Sequence, residues 1–391
     1  MISIRNSQDC CGCTACKSIC PKKAIKMIPD ALGFLYPAVN EELCVNCGLC
    51  ERVCSFNDHY DHSLNFLKPI AYGARHKDLS EIELSRSGAA FIALSDWVLQ
   101  QGGAVYGAGF TDHFKVVHKR AVTKSERDEF RGSKYVQSEL GDVFLQVKED
   151  LRNGMIVLFS GTACQVAGLK SFIGAKLCEK LFLLDIVCHG VPSPYLWKEY
   201  LTYVERKKGS RAIKVDFRDK SELGWNSHQE KICLQNGEIF KSYDYTYLFY
   251  QNISLRKSCA ICYYANTERP SDITLADFWG WEKTDSRMNM DNKGVSLLLV
   301  NTPKGENLLN YAKGNLNLYP ADMKNVMQPN LQRPTTENPK RDLFEHEFDK
   351  KGFVFVAKKY GTLGFKYRLR QFFHVKVNQL RRIKNFLAGK K

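Results

Sequence analysis

From residue 155 onward the chain alternates between apolar runs and amphipathic stretches. Residues 155–159 are wholly apolar, residues 181–187 nearly so, and residues 165–172 between them read as a helix. Apolar runs this short and this continuous predict strands buried on both faces of a parallel sheet. Each run gives way to a loop of small residues: Ser160-Gly161-Thr162-Ala163-Cys164 and Cys188-His189-Gly190-Val191-Pro192. Sites in α/β sheets gather at such strand ends. Residues 273–275 and 295–300 predict two further buried strands, and 213–217 another after a helix over 195–206. Residues 231–234 and 238–241, joined through Asn236-Gly237, predict a hairpin with a type I′ turn. An aromatic stretch follows at 243–250.

Upstream the signals are weaker. Residues 70–75 and 104–106 read as strands, Ser87-Gly88 leads into an apolar helix over 89–100, and 124–131 reads as a charged helix. Gly102, Gly103, Gly107 and Gly109 surround the second strand without forming the dinucleotide fingerprint, which has its own spacing.

The first 54 residues are organised by cysteine instead. Cys10, Cys13, Cys16 and Cys20, followed by Pro21, have the spacing C-x2-C-x2-C-x3-C-P, and Cys44, Cys47, Cys50 and Cys54 repeat it. This is the signature of a two-cluster bacterial ferredoxin, in which the fourth cysteine of each run crosses to the other cluster. One [4Fe-4S] centre is therefore expected on Cys10, Cys13, Cys16 and Cys54, the other on Cys44, Cys47, Cys50 and Cys20. Gly12 and Gly48 suit the tight loops. Zinc sites use separated C-x2-C pairs rather than one run of four. No secretory segment precedes Cys10, so a disulfide framework is not expected either. Cys11 reads as a bystander.

At 391 residues more than one domain is expected, and no apolar run approaches a membrane span. Fifteen cysteines in a chain read as cytoplasmic point to metal. The net charge of +15 suggests nucleic acid until it is located: residues 350–391 hold thirteen Lys and Arg and no Asp or Glu, leaving 44 basic against 42 acidic residues before them. Residues 365–387 interleave these cations with apolar positions, as a basic amphipathic helix does. The inner face of an anionic membrane is one partner for it, a solvated packed helix the bland alternative, and no nucleic-acid motif accompanies it. Residues 55–68, with His59 and His62, read as a polar connector.

Seven cysteines remain. Cys164 and Cys188 follow buried strands and Cys259 with Cys262 form a C-x2-C pair, so the four could hold another cubane or be small apolar residues. Cys178 and Cys233 take the apolar reading. The segments FSGTACQ (159–165), DIVCHGVPSP (185–194), FRDK (217–220) with Gly224-Trp225, SCAIC (258–262) and DITLADFWG (272–280) resemble, in order, the motifs of the coenzyme F420 hydrogenase/dehydrogenase beta-subunit family. Residues 87–138, with Gly132-Ser133-Lys134-Tyr135, are similar to that family's N-terminal domain. Ala163 stands where Pro is common and Ala276 where Gly is common.

The resemblance implies an α+β multidomain protein: a dicluster ferredoxin module over 1–57, α/β flavin-binding domains over 68–150 and 151–330, and the basic helical tail over 350–391. It implies a third [4Fe-4S] cluster on Cys164, Cys188, Cys259 and Cys262. It also implies FAD, with contacts at Ser87, Gly88, Gly132, Ser133, Lys134, Tyr135, Gly161 and Thr162. Use of coenzyme F420 itself stays open. His189, Lys134 and Tyr135 become candidate proton donors, with a structural hydrogen bond as the alternative for His189, while Asp277 reads as a partner for loop amides. Similar chains with this front end occur beside surface-polysaccharide genes, which implies a sugar or lipid-linked substrate. Ferredoxin or another redox donor would supply electrons, and a flavin would join one-electron to two-electron chemistry. A non-catalytic electron-delivery protein and a redox sensor are the rivals.

Overall fold

The computed structural model describes residues 2–3, 6–57, 68–365, 367 and 369. His59 and His62, and the amphipathic helix expected over 365–387 beyond its first positions, lie outside the described residues.

In the N-terminal module the two cysteine runs bracket an antiparallel hairpin, β1 (Ile25–Pro29) and β2 (Leu35–Val39). Its turn is pinned by Asp30, whose carboxylate accepts from the Leu32 and Phe34 amides at 2.9 and 2.8 Å. Each cysteine loop swings into a short helix, Ala15–Ile19 or Leu49–Arg52, through a left-handed residue, Thr14 or Gly48.

The body is mixed α/β. Along the chain come β3 (Ile70–His76), β4 (Ala104–Phe110), β5 (Val116–Ala121), β6 (Val157–Thr162) and β7 (Leu181–Ile186). Next are β8 (Ala212–Asp216), β9 (Glu230–Leu234) and β10 (Ile239–Ser242), which make a separate antiparallel sheet with the Asn236-Gly237 turn where it was expected. Then β11 (Ile273–Asp277), β12 (Ser296–Val300) and β13 (Leu316–Ala321) return to the large sheet. Its eight strands are ordered β13-β3-β12-β11-β7-β6-β4-β5, so strands from both sides of residue 150 share it. The inner strands β4, β6, β7 and β11 are parallel, and the flanks are antiparallel.

The apolar runs have their predicted cause. Val157, Phe159, Leu181 and Leu183 point into a core shared with Phe144, Val147, Val166 and Leu169 of helices Val143–Arg152 and Ala163–Ile173. Leu158, Phe182 and Leu184 point the other way, onto Leu94, Val98 and Leu308 of helices Ala90–Gln100 and Pro303–Ala312. The charged helix is shorter than expected, Lys124–Asp128. Residues 350–359, at the start of the expected tail, end helix Arg341–Lys359, where Phe353 and Val356 are buried.

The cysteine module is keyed into this body at two places. Leu32 and Phe34, at the hairpin tip, are fully buried in a core with Trp197, Tyr200, Phe217 and Phe353. On the other side, helix Ala163–Ile173 meets the first cysteine loop at Gly168, where an added Cβ would lie 2.7 Å from Cys13 Sγ. Only glycine lets the helix come so close.

Candidate functional site

Cys20, Cys44, Cys47 and Cys50 line one small cavity in the cysteine module. Three of them come from the second run and one from the first, the crossed arrangement expected of the spacing. The Ile2 amide donates to Cys50 Sγ at 3.3 Å and the Ala24 amide to Cys20 Sγ at 3.4 Å, while Cys47 is exposed. Cys10, Cys13, Cys16 and Cys54 form the second group. Burial pushes Cys16 well up, and the neighbouring Cys13, Cys10 and Cys54 add to it. Burial likewise pushes Cys54 up to about 12, with Cys13 the next cause. Four thiols this close resist ionising together, and a bound polycation removes the obstacle, because coordination deprotonates a thiol outright.

A third group is assembled from distant segments. Cys164 stands in the first turn of helix Ala163–Ile173, Cys188 in the loop after β7, Cys259 in the short helix Lys257–Ile261, and Cys262 just beyond it. All four line one small cavity with Thr162, His189 and Arg256. Burial raises Cys188 first, and Cys259, Cys164 and Cys262 add to it. Burial also pushes Cys259 up to about 11 and Cys262 to about 12. Cys164 goes the other way, to about 7, held first by Cys11 and helped by the Thr162 hydroxyl at 3.3 Å. Among the described residues no three His, Cys, Asp or Glu side chains close around a single metal ion. Four thiols on one cavity are the donor set that a [4Fe-4S] cubane takes.

Cys11, read from the sequence as a bystander, is 4% exposed, lies on the third cavity's wall and neighbours both Cys13 and Cys164, so it stands between two cysteine groups. Spacing along the chain gave no sign of this. Cys178 Sγ donates to the Ala175 carbonyl at 3.0 Å and Cys233 lies on β9, both apart from the three groups.

A separate cleft of about 920 Å³ opens between the segments at 83–86, 128–134, 214–224 and 291–293. Gly132, Ser133 and Lys134 form part of its wall. Lys134 Nζ donates to the Arg131 carbonyl at 2.9 Å and sits 5.3 Å above the Phe110 ring, and burial pushes it down to about 7. Burial also lowers Lys220 to about 8 and Arg86 to about 10. Arg218 pairs with Asp277 at 2.5 Å, so Asp277 has a guanidinium partner rather than the loop amides expected for it. Scattered along the sequence, Arg86, Arg218 and Lys220 were not singled out as site residues; only the FRDK segment pointed toward two of them.

The remaining expected contacts fall elsewhere. Ser87 Oγ donates to the Val295 carbonyl at 2.6 Å, and a Cβ on Gly88 would lie 2.1 Å from the Ala74 carbonyl oxygen, so this pair seats a helix against β3 and β12. Gly161 and Thr162 end β6 and turn directly into helix Ala163–Ile173; Thr162 lines the thiol cavity, and neither residue lines the cleft. Thr162 caps that helix with Gln165, its amide donating to Gln165 Oε1 at 3.0 Å. Tyr135 lies behind the cleft wall, stacked on Phe249 at 4.7 Å. His189 meets the same Phe249 ring at 5.0 Å and bonds Asn252 Oδ1 through Nε2 at 2.7 Å. One phenyl ring thus joins the cavity's histidine to the cleft's tyrosine.

Residues 154–324 match the family described as the C terminus of the coenzyme F420 hydrogenase/dehydrogenase beta subunit, and residues 9–57 match the 4Fe-4S dicluster domain. The resemblance read from the motifs is borne out over these residues. An uncharacterised polyferredoxin-like protein of Methanocaldococcus jannaschii is 31% identical over 85 residues, which are 20% of this chain and 48% of the relative. The chain thus spans about half the length of that curated relative. A chain in the F420-reducing [NiFe] hydrogenase complex from Methanosarcina barkeri, in a xenon-derivatised structure, superposes with a TM-score of 0.45 at 18% identity. The overlap covers 75% of this chain and 91% of the other.

Proposed function

We propose that this chain, which carries the beta-subunit family's residues at 154–324 behind a dicluster domain, is an iron-sulfur flavoprotein oxidoreductase. The observation that carries the reading is the convergence of Cys164, Cys188, Cys259 and Cys262 on one cavity, next to the Cys10 group through Cys11. Three cysteine groups in series make a route for single electrons from the exposed Cys47 end to the interior. A flavin supplies the exchange between single electrons and pairs.

The cleft fits such a cofactor in size and charge. Arg86, Arg218 and Lys220 would hold its anionic portion, since burial strengthens their attraction for phosphate. Lys134 is divided between charged and neutral forms near pH 7 and so can hold or release a proton at Nζ. Tyr135 and His189 flank the Phe249 ring, and His189 would hold or release a proton at the edge of the thiol cavity. The hydroxyl-matching groups of the rim, Asp216, Asp219, Ser221 and Asn292, suit a sugar or lipid-linked glycan intermediate as substrate. A ferredoxin suits the exposed end as donor.

The test is iron, acid-labile sulfide and flavin per chain after anaerobic purification, repeated with Cys259→Ser/Cys262→Ser. About twelve irons and one flavin, falling to about eight irons in the variant, are expected from cubane arithmetic. About eight irons in both proteins and no flavin would overturn the reading.

A further inference from the structure

Arg256 is 1% exposed and lies on the wall of the cavity shared by Cys164, Cys188, Cys259 and Cys262. It reaches across to the cysteine module. Nε donates to the Cys10 carbonyl at 2.8 Å, Nη2 to the Leu35 carbonyl at 2.9 Å, and Nη1 to Gln137 Oε1 at 3.0 Å. The guanidinium lies 4.2 Å from the Tyr36 ring, and the Gln137 amide donates in turn to the Cys11 carbonyl at 2.9 Å.

Every one of these acceptors is neutral. The other deeply buried arginines each face a carboxylate: Arg127 with Asp96, Arg218 with Asp277, Arg269 with Asp185. Asp30, the carboxylate that feels the charge of Arg256, is engaged by the Leu32 and Phe34 amides instead. A buried cation without an anion is strongly disfavoured. Beyond Asp30, the groups around Arg256 able to carry negative charge are the thiols of Cys10, Cys11, Cys164 and Cys259 and the Tyr36 hydroxyl.

We propose that Arg256 is the shared counter-charge of two iron-sulfur centres, the one on Cys10, Cys13, Cys16 and Cys54 and the one on Cys164, Cys188, Cys259 and Cys262. The proposal rests on the reading above that both groups hold clusters. One-electron reduction adds a negative charge to a centre while the guanidinium keeps its positive one, and the attraction is large in a dry interior. Arg256 therefore makes both centres easier to reduce. It has no such effect on the Cys20, Cys44, Cys47 and Cys50 centre, whose cavity it does not line. Matching two neighbours through one cation keeps the step between them close to level.

The experiment is an EPR-monitored redox titration of the anaerobically purified full chain. In Arg256→Met two midpoint potentials are expected to become more negative while the third stays. Arg256→Lys, which keeps the charge, should restore most of the shift. Gln137→Glu sets a carboxylate against the intact guanidinium and should move the same two potentials the same way. Unchanged potentials at wild-type iron content, or an equal shift of all three, would overturn the proposal. If Arg256→Met loses its clusters, Gln137→Glu decides alone. About eight irons in the wild type would overturn the three-cluster reading instead, and the Cys10 centre then carries the test.

Discussion

Replacing Gly168 with Ala measures how tightly the cysteine module is seated on the sheet. Gly168 lies inside helix Ala163–Ile173, where Ala is ordinarily better by about 1 kcal/mol. Here the new Cβ would stand 2.7 Å from Cys13 Sγ and 2.9 Å from Cys13 Cβ. Both separations are well inside van der Waals contact, and Cys13 is held by its own loop. Overpacking of this kind costs about 1–3 kcal/mol, so the helix gain is outweighed and a net loss of about 1 kcal/mol remains. Relief comes from parting helix and loop, which draws Cys13 away from Cys10, Cys16 and Cys54. The assay is a thermal melt with iron analysis on the same preparation. Gly168→Ala should melt about 2 °C lower and carry less iron. Gly314→Ala, with nothing within 4 Å of its Cβ, should match wild type. A Gly168→Ala protein that melts at or above wild type with full iron would refute the close approach.

Arg269→Met leaves the fully buried Asp185 without its ion-pair partner, 3.1 Å away, and should cost about 3–5 kcal/mol in denaturant unfolding, most of it recovered when Asp185→Asn is added. Because burial lowers Lys134 to about 7, the cleft's affinity for an anionic ligand is full below that pH and falls up to about tenfold per unit above it. FAD fluorescence quenching at pH 6 and 8.5 should show this loss in the wild type and a flat response in Lys134→Met. The same shift makes stability rise with pH between about 7 and the ordinary lysine value of about 10.4, since the unfolded chain binds the extra proton there. Gly12→Ala forces a side chain into φ +74° and within 2.9 Å of Arg256 Nη1, so limited proteolysis should release the N-terminal module faster than in wild type, while equal rates would count against this packing.

What could be read along the chain was whatever local pattern records. β6, β7 and β12 are buried on both faces, so their side chains form unbroken apolar runs. β5, Val-Val-His-Lys-Arg-Ala at the sheet edge, has half its positions polar, and β13 contains Pro320, so neither looked like a strand. Strand order was hidden because β3 pairs with β12 and β13, more than two hundred residues away, through backbone bonds that leave no mark on composition. The four cysteines of the thiol cavity stood out by position, but spacing left them open as ligands or small apolar residues, and it was the family resemblance that grouped them. The cleft was not legible, because its cations are spread over four segments of the chain more than two hundred residues apart at the extremes. Gly161 and Thr162 end β6 just ahead of helix Ala163–Ile173, so Thr162 lies on the thiol cavity while Gly132, Ser133 and Lys134 lie on the cleft, a separation that sequence order does not record.

Leu32 and Phe34 rest in a pocket that Phe344 and Phe353 complete. That pocket does not exist when the ribosome has made the hairpin, and the roughly 320 residues still to come take about 15–60 s at ordinary elongation rates. Through this interval the cysteine runs hang free of their seat, open to whatever delivers iron and sulfide. In the folded protein Cys13 and Cys16 are each 8% exposed, while Cys47 stays exposed. Order of synthesis therefore weighs unequally on the two runs: thiols of the first are covered as the body closes on them, and the second keeps one thiol within reach of solvent.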